Sequence, residues 1–355
     1  MKLNYLLVFV PIALLLDWFG ANPVIVFAAA GLATIPLAGI MGEATESLAS
    51  YLGSSLGGLL NASLGNAPEI IISLLALHKG LPEVVKASFT GSILGNMVLG
   101  LGIAMIVGGC RHGTQKFDKL QAGMNAGLLL LAAIGLIMPA MAAHVTPAHD
   151  VEVSGGTAIV LLVVYGLSVA FSLLGGGQSA AAEGTSEAAT HAAEEPAAEP
   201  PKWSRNKSLG VLILVTIVLA FVSEVLTGAV EPASASLGFT TVFAGVIVLA
   251  LAGNTAELYN AIRFASKNQM DLAFSITVGA STQVALFVAP LLVFVGRLVG
   301  QGMDLVFTPF EVVAIVLSVL VASKLTSDGE CNWMEGVLLV GVYLIFGVVF
   351  FALPG

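Results

Sequence analysis

The chain has 355 residues, 57% of them hydrophobic and 10% charged, and a mean hydropathy of +0.98. Soluble domains carry about 25% charged residues, so this composition excludes an ordinary soluble protein and indicates a polytopic all-α membrane protein with the lipid bilayer as its surroundings. The net charge of −9, with five acids gathered in one stretch, argues against nucleic acid as a partner, and Cys110 and Cys331 give neither a disulfide framework nor a metal spacing.

In chain order, eleven apolar segments are predicted, at about 3–19, 22–41, 44–78, 83–109, 118–142, 154–175, 207–229, 232–266, 270–300, 306–325 and 332–353. The first, from Leu3 to Leu16, lacks an A-x-A-like cleavage site and reads as a retained transmembrane helix. Most segments are about 20 residues long, enough to cross about 30 Å of hydrocarbon. The third and eighth are near 35 residues, which as straight helices would be about 50 Å long. Both contain internal Gly and Asn, so broken helices are expected there.

Between the sixth and seventh segments lies GGQSAAAEGTSEAATHAAEEPAAEPPKW (176–203), a polar Ala/Gly/Pro/Glu linker carrying Glu183, Glu187, Glu194, Glu195 and Glu199. The chain thus divides into a first helix (1–20), a five-helix half (21–175), an acidic linker (176–206) and a second five-helix half (207–355). With a cytoplasmic N-terminus, Lys2, Arg111, Lys116, Lys119, Lys202, Arg205, Lys207, Arg263, Lys267 and Lys324 fall inside, and Lys79, Lys86 and Arg297 outside. That asymmetry follows the positive-inside rule and places the C-terminus outside.

The two halves repeat at an offset of 188: Gly57 meets Gly245, Gly65 meets Gly253, Asn66 meets Asn254, Glu69 meets Glu257, Lys79 meets Lys267 and Gly91 meets Gly279. Glu43 meets Glu231, and Glu83 meets Asp271. Five crossings separate equivalent positions, an odd number, so the copies run in opposite directions. Inverted repeats of this kind recur in secondary transporters, with binding sites near the bilayer midplane. Lys79 and Lys267 each follow their glutamate by ten residues, about 15 Å of helix. Glu69 and Glu257 are therefore expected near the midplane, approached from opposite sides. A carboxylate at that depth is costly, and is a functional hypothesis by default.

The motifs G-N-A-P-E (65–69) and G-N-T-A-E (253–257) supply hard oxygen ligands. Each offers a carboxylate, a carboxamide from Asn66 or Asn254, and backbone carbonyls freed at Gly65 or Gly253. Such a set suits Ca²⁺ or a similar cation, whereas no thiolate or imidazole cluster is present for a softer metal. The following helices add Ser92 and Asn96 in one half and Ser281, Thr282 and Gln283 in the other. Asn96 and Gln283 are one residue out of register.

These stretches, GEATESLASYLGSSLGGLLNASLGNAPEIIISLLAL with KASFTGSILGN after it, and SEVLTG followed by LAGNTAELYNAIRFASKNQMDLAFSITVGASTQVALFVAPLLV, resemble the two repeats of the calcium/proton exchanger family, within the wider cation/calcium exchanger superfamily. The resemblance covers residues 30–345 and includes the acidic linker. It implies eleven helices, Glu69 and Glu257 as shared ligands of calcium and protons, and antiport by alternating access, with no cofactor. The chain departs from the family pattern at Pro68, Gly95, Leu251-Ala252, Leu258 and Ala280, which bears on the secondary ligands and leaves both carboxylates in place.

The expected function is therefore a plasma-membrane antiporter of a prokaryote, exporting cytosolic Ca²⁺ in exchange for H⁺. Ca²⁺ or protons can each neutralise the buried acid pair, but not together, and that competition couples the two fluxes. Two other readings are weighed. Sodium-coupled relatives of the superfamily tend to carry an extra acid on the ninth helix, where this chain has Gln283. An intramembrane acid–base enzyme would have no need of a repeat, and no nucleophile–base constellation is present. Each residue also has a plainer role open to it. Glu69 and Glu257 could be protonated packing groups, although their duplication argues against it. Asn66 and Asn254 could cap helices, Asn96 and Gln283 could join helices, and the hydroxyls could bond their own helices. Glu43, Glu46 and Glu224 could line a cytoplasmic mouth or simply be solvated. His144, His149, Asp150 and Glu152 share an outer loop in which metal binding is disfavoured. The linker acids read as a solvated segment before a calcium sensor. Whether copies of the chain associate is not legible.

Overall fold

The computed structural model describes residues 2–52, 57, 60, 63–145, 149–173, 203–298 and 300–353. The helices are α1 (Asn4–Trp18), α2 (Pro23–Ala49), α3 (Ala67–His78), α4 (Pro82–His112), α5 (Lys119–Val145), α6 (Asp150–Leu173), α7 (Arg205–Leu237), α8 (Thr241–Gly253), α9 (Thr255–Ala265), α10 (Met270–Leu298), α11 (Pro309–Leu325) and α12 (Trp333–Ala352). Two short strands, β1 (Gln115–Lys116) and β2 (Glu330–Cys331), pair antiparallel. Among the described residues seven helices are long and apolar enough to cross a membrane, and the bent pair α8–α9 makes an eighth. The protein is thus a nearly all-helical, polytopic membrane protein. The linker residues Glu183, Glu187, Glu194, Glu195 and Glu199 lie outside the described residues.

Local chemistry sets the helix starts. Asn22 accepts from the Val24 N–H at 2.9 Å, with Pro23 in the first turn of α2. Thr308 with Glu311, and Asn332 with Glu335, form capping boxes at α11 and α12. These caps satisfy backbone donors that a helix start leaves bare.

Two expected boundaries move. Helix α2 continues through Gly42 and Glu43 to Ala49, and α7 continues through Glu231 and Pro232 to Leu237. The two long segments expected at 44–78 and 232–266 therefore begin inside the preceding helices. The ranges followed apolar runs, and the helices run on through glycine, acids and proline, which are tolerated in transmembrane helices where neighbours supply compensating contacts. The chain turns at Gly65–Asn66 before α3, and bends by 57° at Asn254 between α8 and α9.

Two cores result. One joins α2 and α7 through Ala30, Ala33, Leu37, Leu219, Val222 and Leu226. The pair is antiparallel: Tyr51, just past α2, donates to the Trp203 carbonyl just before α7 at 3.0 Å. The larger core packs α4 and α10 against α5, α11 and α12. Between these cores lie α3, α8 and α9, the elements that carry the two motifs. Outside the spans, Cys331 is buried and its thiol is pushed up to about 12, chiefly by burial and then by Glu335 and Asp328. It is therefore an inert thiol at neutral pH, whereas Cys110 is exposed.

Candidate functional site

The site is built where α3 and α9 begin. Glu69 stands in the first turn of α3 and Glu257 in the first turn of α9. Both follow a break, so the acids face the partly positive ends of their helices. The motifs meet: a Cβ placed on Gly253 would lie 3.5 Å from Glu69 Oε1, so a glycine there lets the carboxylate approach the opposite break. The Glu69 carboxylate thus lies beside the turn that opens α9, in whose first turn Glu257 stands. One oxygen of each, Oε2, is buried without a hydrogen-bond partner among the described residues.

The asparagines do something other than cap. Asn66 and Asn254 occupy the N-cap positions, but neither makes a side-chain cap bond. Asn66 donates across to Gln283 Oε1 on α10. Asn254 accepts from Ser92 Oγ on α4 at 2.8 Å, and its Nδ2 is buried without a partner among the described residues. Each motif is therefore tied to the helix following the other motif, so that the halves interlock through side-chain amides. The glycines Gly65 and Gly253 stand at the breaks, where the last carbonyls of a helix lack intrahelical partners.

Asn96 is fully buried, and neither its Oδ1 nor its Nδ2 has a partner among the described residues. An amide left bare in this way costs roughly 1–3 kcal/mol unless something else satisfies it. Asn96 is the second residue of a π-helical stretch of α4 (Gly95–Gly100), and Gln283 immediately precedes one in α10 (Val284–Val288). Widened turns of this kind are frequent at functional sites.

The hydroxyls divide. Ser92 reaches the opposite motif, whereas Ser281 donates to Thr277 O at 3.0 Å and Ile93 O at 3.3 Å, and Thr282 to Val278 O at 2.8 Å. Ser281 and Thr282 thus spend their protons on backbone carbonyls. Among the described residues no group of three or more His, Cys, Asp and Glu side chains gathers to hold a metal. A cation between Glu69 and Glu257 would therefore complete its shell with amide and carbonyl oxygens or water. Near the α5–α6 connection, His149 pairs with Glu152 at 2.5 Å, while His144 bonds Ala140 O at 2.8 Å.

Glu224 does not join Glu43 and Glu46. The Tyr51–Trp203 bond puts the end of α2, with Glu43 and Glu46, beside the start of α7. Glu224 lies 19 residues along α7 from Arg205, about 28 Å. There its carbonyl accepts from Lys79 Nζ at 2.5 Å, at the far end of α3. The expectation failed because it grouped the acids by composition without following the antiparallel run of α2 and α7.

Sequence reasoning missed a second polar cluster behind the site, made by Lys86, Thr90, Asp304 and Glu311. The signal was available: Lys86 is the one charged residue between Glu83 and Arg111 in the fourth segment.

The family described as sodium/calcium exchanger protein matches residues 22–174 and 207–352. The chain is 44% identical over 357 residues to a Ca(2+)/H(+) antiporter of Aphanothece halophytica, covering 98% of this chain and 96% of the relative. It is 39% identical over 341 residues to the Ca(2+)/H(+) antiporter ChaA of Bacillus subtilis, covering 96% and 94%. Its fold resembles the solved structure of native YfkE with a TM-score of 0.84 at 35% identity, covering 99% of this chain and all of that one.

Proposed function

The chain belongs to the sodium/calcium exchanger protein family, and from that premise we propose that it is a membrane antiporter that exports Ca²⁺ in exchange for H⁺. It is a transporter and not an enzyme, as are the full-length antiporter relatives from two bacteria. The observation that carries the reading is the cluster of bare buried polar atoms: Oε2 of Glu69, Oε2 of Glu257, Nδ2 of Asn254 and both amide atoms of Asn96. Bare carboxylate and amide oxygens in one dry place favour a hard cation or protons.

In this reading Glu69 and Glu257 are the shared ligands, near the bilayer midplane. Asn66, Asn254, Asn96, Gln283 and Ser92, with carbonyls at Gly65 and Gly253, complete the shell around Ca²⁺. Ser281, whose proton is donated to backbone carbonyls, can offer the lone pairs of its oxygen to the same shell. Two unshielded carboxylates in an apolar surround repel each other, and one Ca²⁺ or protons relieve that repulsion. Because either occupant displaces the other, inward protons drive outward Ca²⁺. Mg²⁺ is disfavoured because it sheds its water reluctantly.

The architecture that goes with this mechanism has eleven crossings: a first helix at 1–20 and inverted halves at 21–175 and 207–355. The N-terminus is cytoplasmic, the C-terminus external, and the membrane is the plasma membrane of a prokaryote. Alternating access then comes from rocking the α2–α7 layer against the rest. The linker at 176–206 modulates exchange from the cytoplasmic side.

Proton coupling, and not sodium coupling, is favoured because the amides Asn96 and Gln283 accompany the acid pair. The test is ⁴⁵Ca²⁺ uptake into proteoliposomes under an imposed pH gradient. Uptake in Na⁺-free buffer is expected. Uptake that needs a Na⁺ gradient would move the chain to the sodium-coupled branch.

A further inference from the structure

Helix α4 presents two polar stripes. Residues turn by about 100° each in an α-helix, so Ser92 and Asn96 share one face, Lys86 and Thr90 share another, and Thr90 and Ser92 are about 200° apart. The first stripe faces the acid pair, through the Ser92–Asn254 bond and the bare Asn96 amide. The second faces away, toward the segment entering α11.

That rear stripe is fully bonded. Lys86 is 4% exposed, and its ammonium meets Glu83 Oε1 at 2.7 Å, Asp304 Oδ1 at 3.2 Å and Val306 O at 2.8 Å. An ammonium has three protons, and here each has an acceptor. One turn on, Thr90 donates to Glu311 Oε1 at 3.2 Å, and Glu311 is 1% exposed. The other oxygen, Glu311 Oε2, accepts from Thr308 N at 2.9 Å and Thr308 Oγ1 at 2.8 Å. Lys86 and Glu311 are buried, so losing a partner strands either of them, whereas Glu83 and Asp304 reach solvent with side chains 58% and 39% exposed. Directional bonds also fix rotation, which an apolar seam resists only weakly.

We propose that Lys86, Thr90, Asp304 and Glu311 are positioning residues, which fix the rotation and height of α4 and so set the angle at which Ser92 and Asn96 meet the Glu69–Glu257 pair. The inference rests on the cation-exchange reading. None of the four touches the acid pair by any hydrogen bond or ion pair, so their effect passes through α4. A ligand mis-set by a fraction of an ångström weakens binding and blurs the choice among cations of different size.

The experiment uses the full chain in proteoliposomes. It measures pH-driven ⁴⁵Ca²⁺ uptake against Ca²⁺ concentration, with Mn²⁺ as competitor, alongside calorimetric Ca²⁺ binding in detergent, which needs no coupling ion. In Lys86→Met the half-saturating Ca²⁺ is expected to rise about tenfold and in Thr90→Val about threefold, with the maximal rate per inserted protein within about twofold. The preference for Ca²⁺ over Mn²⁺ falls in both, and Thr90→Ser restores it by returning the hydroxyl. Wild-type half-saturation and selectivity in both variants would overturn the proposal, as would a fall in maximal rate with half-saturation unchanged. If Lys86→Met fails to insert, Thr90→Val, a loss of one oxygen, decides alone. A wild type without pH-driven uptake would defeat proton coupling instead, while the calorimetric order of the variants would still judge the positioning role.

Discussion

Helices α4 and α10 hold corresponding places in the two halves of the sequence, and they rest on different backings. The positions matching Lys86 and Thr90 at the offset of 188 are Phe274 and Val278. Where Lys86 is ion-paired and Thr90 hydrogen-bonded, Phe274 stacks on Phe117 with ring centroids 5.1 Å apart and planes at 9°, and Val278 is buried among apolar side chains. On the faces toward the site the helices match: each tethers the other half's motif, Ser92 to Asn254 and Gln283 to Asn66. What recurs is thus the tether to the opposite motif, and what differs is the backing behind each helix. Apolar stacking is non-directional and tolerates small rotations, whereas a bonded ammonium does not. The comparison assigns α4 the fixed set of ligands and α10 the adjustable one.

The most severe break of the comparison removes what the halves share. Glu69→Gln and Glu257→Gln each keep side-chain size but lose the titratable charge, and each is expected to lower proton-driven Ca²⁺ flux at least about a hundredfold in normally inserted protein. Unequal losses, or near-normal transport by either variant, would refute the shared-ligand model.

Next comes the crossing that carries α4 past α8. A Cβ on Gly91 would lie 2.0 Å from Val246 O and 2.6 Å from Ala250 Cβ, so the backbones touch. Gly91→Ala must push the helices apart, and is expected to cost about 1–3 kcal/mol or more, as overpacking does, read as a fall in thermal unfolding temperature in detergent. Gly127→Ala in α5, with open space among the described residues, is the control that should change little.

The adjustable backing gives a milder and more specific outcome. Phe274→Ala removes the stacked ring and should destabilise the protein by about 3–5 kcal/mol, as large core truncations do. The half-saturating Ca²⁺ of the protein that remains folded should nevertheless stay near wild type. A rise matching that of Lys86→Met would erase the distinction between the two backings.

How much of this was legible in the sequence differs by physical kind. The paired motifs were legible because a charge among apolar residues is rare, and its repetition at a fixed offset rarer still. The helix limits near Glu43 and Pro232 were not. An apolar run breaks at those residues, but α2 and α7 carry on through them where each packs against the other. The tasks of Asn66 and Asn254 were half legible: the type and position fit a cap, while the partners Gln283 and Ser92 lie more than 150 residues away and depend on how the halves interlock. The rear stripe needed the tertiary fold, because Thr90 and Glu311 are 221 residues apart, and only their meeting explains either.

The acidic linker has no counterpart in either half, which predicts the smallest effect. Glu183, Glu187, Glu194, Glu195 and Glu199 fall within a stretch too polar and too rich in Ala, Gly and Pro to cross the bilayer. In the proposed orientation they would concentrate Ca²⁺ on the cytoplasmic side, but isolated carboxylates in water bind it weakly, and salt screens them over about 8 Å. Changing all five to Gln should therefore leave the maximal proton-driven flux within about tenfold, a free-energy change of about 1.4 kcal/mol or less. The change should appear in the Ca²⁺ concentration dependence rather than in the plateau. In the proposed mechanism Glu69 and Glu257 suffice for turnover, with no further acid. A complete loss of transport in correctly inserted protein would bring the linker into the site itself, and the matched pair at Glu69 and Glu257 would no longer account for exchange.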